Sequence, residues 1–530
     1  MIHDLIGSGQ NELKADVLII GGGTVGLIMA SLFVKKGLNV VVLESGGATQ
    51  EEDEHELNKV IHLSGQYSGA SKGRFRCLGG TSTRWGGALI PFQKGDINPK
   101  LWPISYEEIM AYLPELERIF DLNPGPYDFE KIEGIDKQIR KDWILRFAKW
   151  PTFARRNTAH LISGKALKEQ ENLSIYLNAT ATHFEVGEDS TLNLVTAQAP
   201  DGSKISVQTS EVVIAAGAIE STRLLLLLEQ QNAQTVKPST QLGHYFHDHI
   251  SVPIANLDPI NLYRLNRIFG FVFEKRGVMR NMRFELRNSS PLRTEISPCF
   301  AHVSFESERS VGFNALRDFF RCVQQGRIPT FSILVNLTKS TPWLVRLIWW
   351  RYFYKRLLYP ADAKIKVHVV IEQTQEFENN ISLSPSITDI YGMPLATIAW
   401  DISKQDDENI TKVAGLFKKE WEGSDYSRVA KFVMRPPKEI LQDLSLGGGV
   451  YHPCGSTRMG KSSSDGVVDK NLRLFNVKNI SVVATSVLPS SGGANPTMTL
   501  LLLALQVVNN ISNNIASSKN IDGLLSTKLN

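Results

Sequence analysis

The sequence predicts a chain of α/β plus α+β character, with a doubly wound domain built from separated segments and an antiparallel-sheet domain inserted into it. Three observations predict this. Near the start, an apolar run at residues 15–20 (ADVLII) leads into the glycine turn GGGTVG and then a helical pattern. Residues 211–228 (EVVIAAGAIESTRLLLLL) and the C-terminal region repeat the order strand, small-residue turn, helix. Residues 257–437 differ, with short alternating runs such as 366–372 (KVHVVIE) punctuated by Pro and Gly, the pattern of antiparallel strands. The chain has 530 residues, too many for one ordinary core.

The first unit is read element by element. Residues 15–20 form a short, largely apolar run rich in β-branched residues, as in a buried parallel strand. Gly21, Gly23 and Gly26 follow in G-x-G-x-x-G spacing. Residues 25–36 carry helical spacing and stop at Gly37, and a second strand at 39–43 ends in Glu44. Gly21 allows the tight turn, Gly23 lets backbone N–H groups approach a pyrophosphate, and Gly26 lets helix pack on strand. The helix N-terminus favours the phosphate charge and Glu44 accepts hydrogen bonds from a ribose. This is a dinucleotide grip of Rossmann type. It does not by itself separate NAD from FAD.

At the other end, YHPCGSTRMG at residues 451–460 places His452 in a Gly- and Pro-containing loop. Residues 480–484 read as a strand, SSGGAN as a tight loop, and 496–508 as an apolar helix. Pro496 suits the first helical turn, with Asn495 at or just before the N-cap. A helix start supplies unpaired N–H groups and a positive dipole end, which suit the charge on a reduced flavin. His452 has the chemistry to take a hydroxyl proton while hydride leaves carbon, and Asn495 to hydrogen-bond the same oxygen. The plain alternative leaves Asn495 as a cap and His452 as a loop histidine.

These residues resemble the glucose–methanol–choline (GMC) family of FAD-dependent oxidoreductases. The resemblance rests on GGGTVG with Glu44, CLGGTSTRWGG at 77–87, LWPISYEEI at 101–109, AAGAIESTRLLL at 215–226, HPCGSTRMG at 452–460 and NPTMT at 495–499, all in family order. It implies non-covalently bound FAD, held by Gly21, Gly23, Thr24, Val25, Gly26, Glu44 and Ser45. Further contacts are implied from Gly80, Thr81, Ser82, Trp85, Gly86 and Gly87, from Ala181, Ala216 and Gly217, and from Ala484, Pro496 and Thr497. It implies that His452 and Asn495 are catalytic. The asparagine version of the pair resembles pyranose 2-oxidase and bacterial sugar and polyol dehydrogenase relatives. Two departures stand out. Arg84 occupies the position of a flavin-linking histidine in some members, and Ala484 that of a common acidic residue.

The implied organisation is an FAD-binding domain from residues 1–95, 205–256 and 438–530, a connecting region at 96–204 with flavin-contacting segments, and a substrate-binding domain at 257–437. The expected reaction is oxidation of a CH–OH group to a carbonyl on a sugar, glycoside or polyol. The proton goes to His452, hydride to flavin N5, and the electrons to oxygen or another acceptor. Alternatives are a flavin-containing lyase of the same fold and oxidation of a lipid-like or sterol alcohol.

Composition narrows the class further. A net charge of +4 on this length gives no argument for nucleic acid. Cys77, Cys299, Cys322 and Cys454 are scattered, with neither metal spacing nor a disulfide framework. The sequence shows no basic-then-apolar leader and no run of about eighteen apolar residues, so the expectation is a cytoplasmic protein. His247-Asp248-His249 lacks a third ligand at suitable spacing, so no metal is expected and the segment is assigned to structure or to the edge of the flavin domain. Residues 343–359 (WLVRLIWWRYFYKRLLY) place Trp343, Trp349, Trp350, Phe353, Tyr354 and Leu357 on one broad helical face. That suits contact with a membrane surface or a lipid-linked substrate, or else a lid, core packing or a subunit contact. The tail after Ala516 is polar and expected to be loose.

Overall fold

The computed structural model describes residues 1–51, 54–132, 134–162, 171–307, 309–445 and 450–526. One eight-stranded sheet carries the dinucleotide motif. Its strands Ile2–Asp4, Leu173–Leu177, Val40–Leu43, Gln10–Ile20 and Lys204–Ile214 run parallel in that spatial order, and Ile480–Val482 pairs parallel to Lys204–Ile214. The hairpin of Thr180–Val186 and Leu192–Gln198 continues the sheet antiparallel. The apolar strands are covered by the Thr24–Lys35 and Thr497–Ser526 helices, which pack on each other. The glycine after the first helix, Gly37, has φ +79°, a left-handed stop open to glycine without strain.

The second eight-stranded sheet is antiparallel, as the alternating middle segment predicts. It runs Ala430–Met434, His249–Pro259, Lys364–Glu372, Cys299–Glu306, Met279–Leu286, Trp143–Trp150 and Asp128–Phe129, with Val272–Phe273 beside Met279–Leu286. Its core gathers Trp143, Phe284, Phe417, Trp421 and Tyr426 in edge and tilted ring contacts. A small third sheet, Asn380–Thr388, Pro394–Ala399 and Val60–His62, had no counterpart in the sequence reading.

The strands cross the expected boundaries. Trp143–Trp150 and Leu173–Leu177 both fall in the connecting region, but one joins the second sheet and the other the first. His249–Pro259 begins within the 205–256 segment yet belongs to the second sheet. Hydrophobic pattern marks a strand, not its partner.

Two expectations about helices are corrected. The last helix does not stop near 508 with a loose tail after Ala516; it runs to Ser526. Ile511 and Ile515 continue the i, i+3, i+4 spacing after Val508 and are buried, so the core-facing stripe extends the helix. The broad aromatic face of residues 343–359 also divides in two. In the Thr341–Tyr354 helix, Leu347 and Trp350 are buried and pack with Trp343, Tyr354 and Leu357. Trp349 and Phe353 point to solvent. They stand about 100° away from Trp350 and Tyr354 on the helix, far enough to leave the packed face.

Candidate active site

The site begins where strands end. The parallel register sets Ile20 beside Leu43 and Ile214, and Ile214 beside Val482. Gly21, Glu44, Ala215 and Val483 therefore emerge together at the carboxyl edge, where doubly wound sheets bind ligands. A cleft opens there. Its lining includes Gly21, Gly23, Thr24, Val25, Glu44, Ser45, Gly80, Thr81, Trp85, Ala216, Gly217, Ala484 and Thr497. Segments more than four hundred residues apart thus share one wall.

The remaining expected cofactor residues stand behind this lining. A side chain at Gly26 would lie 2.0 Å from the Gly21 carbonyl, so this glycine serves the close helix–strand packing. The Ser82 hydroxyl is turned to the Gly79 carbonyl and Thr158. Gly86 is packed on the Trp150 ring and Gly87 beside Arg156. Ala181 is buried in its strand. The Pro496 carbonyl accepts from the Leu500 N–H at 3.0 Å, opening the helix behind Asn495.

Glu44 is buried, with Oε2 accepting from the Gly22 N–H at 2.8 Å and Oε1 from the Gly46 N–H at 2.9 Å. Burial pushes its carboxyl up, and those two N–H groups oppose the shift.

His452 and Asn495 are brought together. Asn495 Nδ2 stands 3.3 Å from His452 Nε2. His452 Nδ1 stands 3.3 Å from His249 Nδ1, with the rings 85° apart. His249 Nε2 lies 2.7 Å from the Gly492 carbonyl. A carbonyl only accepts, so the His249 proton sits on Nε2. Its bare Nδ1 then accepts from His452 Nδ1–H. That leaves His452 Nε2 without a proton, facing the Asn495 amide. Gly492 is fixed in turn: its N–H and the Ser490 hydroxyl both donate to Glu372 Oε2, at 2.7 and 2.6 Å. Burial pushes Glu372 up to about 7.

Asp248 holds the backbone of the same cluster. Its Oδ1 accepts the N–H of His452 at 2.7 Å and of His249 at 2.6 Å, and its Oδ2 accepts the Tyr67 hydroxyl at 2.7 Å. Burial pushes Asp248 up to about 7, against these donors. Burial also drives His249 down to about 4. His452 is partly buried, and its ring nitrogens face His249 and Asn495. That burial, then the neighbouring His249 and Arg283, hold it well below the usual 6.5. Both rings are therefore neutral near pH 7. Asp248, His249 and His452 present ligand atoms within 4.8 Å of one another, but the hydrogen bonds above engage all three.

The sequence reading left His247-Asp248-His249 to structure or the domain edge, and the structure places the segment beside His452. Two of the three residues touch His452. The available signal was three titratable residues entering a strand whose next residues include the apolar Ile250, Val252 and Ile254, since buried ionisable groups gather at functional sites.

Comparison with known proteins fits this geometry. Residues 376–504 match the family model described as GMC oxidoreductase. The chain is 22% identical to 2-methyl-1,2-propanediol dehydrogenase of Mycolicibacterium austroafricanum, over 94% of this chain and 95% of that one. It is 24% identical to pyranose 2-oxidase of Emericella nidulans, over 33% of this chain and 30% of that one. Formate oxidase of Aspergillus oryzae superposes with a TM-score of 0.59 at 14% identity, covering 95% of this chain and 98% of that one. The chain is an FAD-dependent oxidoreductase with a GMC C-terminal region.

The cleft of this oxidoreductase fits a flavin dinucleotide. Gly23 and Gly80 face each other as bare backbone, and a side chain at Gly80 would come within 2.9 Å of the Gly23 Cα. Gly217, at φ +77°, has open space where a side chain would stand. Asn495 Oδ1 is buried with no partner among the described residues, an acceptor open to a bound group. Arg74 and Arg76 also line the cleft and were missed by the sequence reading. They carry no motif, and contacts with Glu220, Asn58 and Ser45 bring them there.

Proposed function

We propose that the protein oxidises a CH–OH group of a sugar, glycoside or polyol to a carbonyl, using non-covalently held FAD. The observation that carries this is the bare His452 Nε2, held in that state by the His249–Gly492 chain and paired with Asn495. Gly21, Gly23, Thr24, Glu44, Gly80, Thr81 and Thr497 would hold the cofactor. Bound FAD supplies the acceptor for the hydride that leaves the carbinol carbon. The substrate hydroxyl enters between His452 and Asn495. Its proton passes to His452 Nε2, while the Asn495 amide donates to the oxygen. The carbon loses hydride, and the carbon–oxygen bond becomes double. Oxygen or another acceptor then removes the electrons.

The choice of a carbohydrate or polyol rests on the asparagine partner and on likeness to the diol dehydrogenase and pyranose oxidase. The test is anaerobic mixing with sugars, polyols, sterols and long-chain alcohols, followed by flavin absorbance. Sugars or polyols should bleach the yellow colour. His452→Ala should slow bleaching at least about a hundredfold, with flavin content unchanged. Asn495→Ala should slow it less. No bleaching by any alcohol would remove the oxidation reading, and near-parental reduction by His452→Ala would remove His452 from its role.

A further inference from the structure

The three consecutive helices Val311–Gln325, Phe331–Lys339 and Thr341–Tyr354 carry an exposed apolar surface that the chemistry above does not use. Ile328 is 91% exposed, Phe331 81%, Tyr352 76% and Phe353 71%, and Val345, Ile348 and Trp349 are about half exposed. On the Thr341–Tyr354 helix, Ile348, Tyr352, Val345, Trp349 and Phe353 fall in one arc of roughly 140°, at about 100° per residue. Arg346 borders one side of that arc, and Arg351 lies about 60° beyond the other, over the Phe273 ring. The opposite arc holds Leu347 and Trp350, packed into the protein. The helix is therefore apolar on both faces, and among the described residues only one is covered.

Charge selects what covers the other. Residues 319–361 contain seven Arg and Lys and no Asp or Glu: Arg321, Arg327, Lys339, Arg346, Arg351, Lys355 and Arg356. A second copy docked about a two-fold axis would set this cationic surface against itself, which electrostatics oppose. An anionic bilayer meets both needs. Trp and Tyr rings settle at headgroup depth, and Arg side chains reach lipid phosphates from the flanks. No helix among the described residues is long and apolar enough to cross a membrane, so the contact is peripheral.

We propose that the 326–356 helical surface docks this protein onto anionic phospholipid. The docked surface would lie next to the glycine-rich loop of the cleft, because Gln324 Nε2 donates to the Ser82 and Trp85 carbonyls at 2.9 and 3.0 Å. The Phe153 and Phe320 rings stack on the same side.

Co-sedimentation of the holoenzyme with vesicles tests this apart from activity. Vesicles of about one-third phosphatidylglycerol in phosphatidylcholine should bind it at low salt, at least about tenfold more tightly than phosphatidylcholine alone. Salt should weaken the binding. Trp349→Ser with Phe353→Ser should abolish it while flavin content and circular dichroism stay parental. Arg346→Gln with Arg351→Gln, which leaves the aromatics, should weaken it at least about threefold. A parent protein that ignores the anionic vesicles, or binds both vesicle types equally, overturns the proposal. So does a folded aromatic double variant that binds as the parent does.

Discussion

A neutral histidine carries one ring proton, and its neighbours decide which nitrogen holds it. His452 was legible in the sequence because it sits in a loop motif ahead of the NPTMT helix start. Its tautomer was not legible, since it depends on His249, 203 positions earlier in the chain, and on the Gly492 carbonyl behind it. The pair sets a pH expectation. Burial first, then His249 and the Arg283 cation, lower His452, so it stays neutral as pH falls through 6.5. The acid limb of flavin reduction should therefore lie below pH 6.5. His249→Phe removes both the acceptor for His452 Nδ1–H and one of the influences that lower His452. Reduction should slow on the order of tenfold or more, and the acid limb should move up toward 6.5. A slower variant with an unmoved limb would make His249 a packing residue only.

Single elements were legible where backbone geometry demands a residue type. The Gly21–Gly26 spacing asks for a close turn and helix packing, and the 2.0 Å approach at Gly26 shows why no side chain fits. The glycine-rich loop carries a second expectation, through Arg84. Its side chain is exposed, and its Nε donates to Gln50 Oε1 at 2.6 Å. An arginine there offers no nucleophile for a covalent flavin link. Acid precipitation of the purified protein should leave the flavin in the supernatant. Yellow colour in the washed pellet would contradict it. The Thr341–Tyr354 helix shows the limit at this scale. Its aromatic content was plain, but which rings faced inward depended on what packed beside them.

Across the whole molecule, buried charge ties the cleft to the sheets. Glu220, on the Ala218–Gln231 helix, receives Arg74 at 3.2 Å, Arg76 at 2.7 Å and Arg223 at 3.1 Å. Arg223 also reaches Asp389, just after the Asn380–Thr388 strand of the small third sheet, at 2.7 Å. Burial opposes ionisation of Glu220, yet Arg76, Arg223 and Arg74 outweigh it and hold the carboxyl down at about 2. Breaking one partner of such a buried network leaves uncompensated charge, and here three guanidinium groups share the one carboxylate. Glu220→Gln should lower the unfolding free energy by about 3 kcal/mol, read as a lower urea midpoint. An unchanged midpoint would show that solvent or Asp389 already balances the three arginines.

The sequence by itself determined the glycine turn with its helix, the antiparallel middle, and the helix start behind Asn495. Each is encoded locally, by glycine spacing, two-residue alternation, or a proline at a helix start. The tertiary structure alone decided that Trp143–Trp150 and Leu173–Leu177 part to different sheets, that His249 orients His452, and that Arg74 and Arg76 enter the cleft. Those outcomes depend on contacts between residues far apart in the chain, where pattern names the element but strand pairing and burial choose its neighbours.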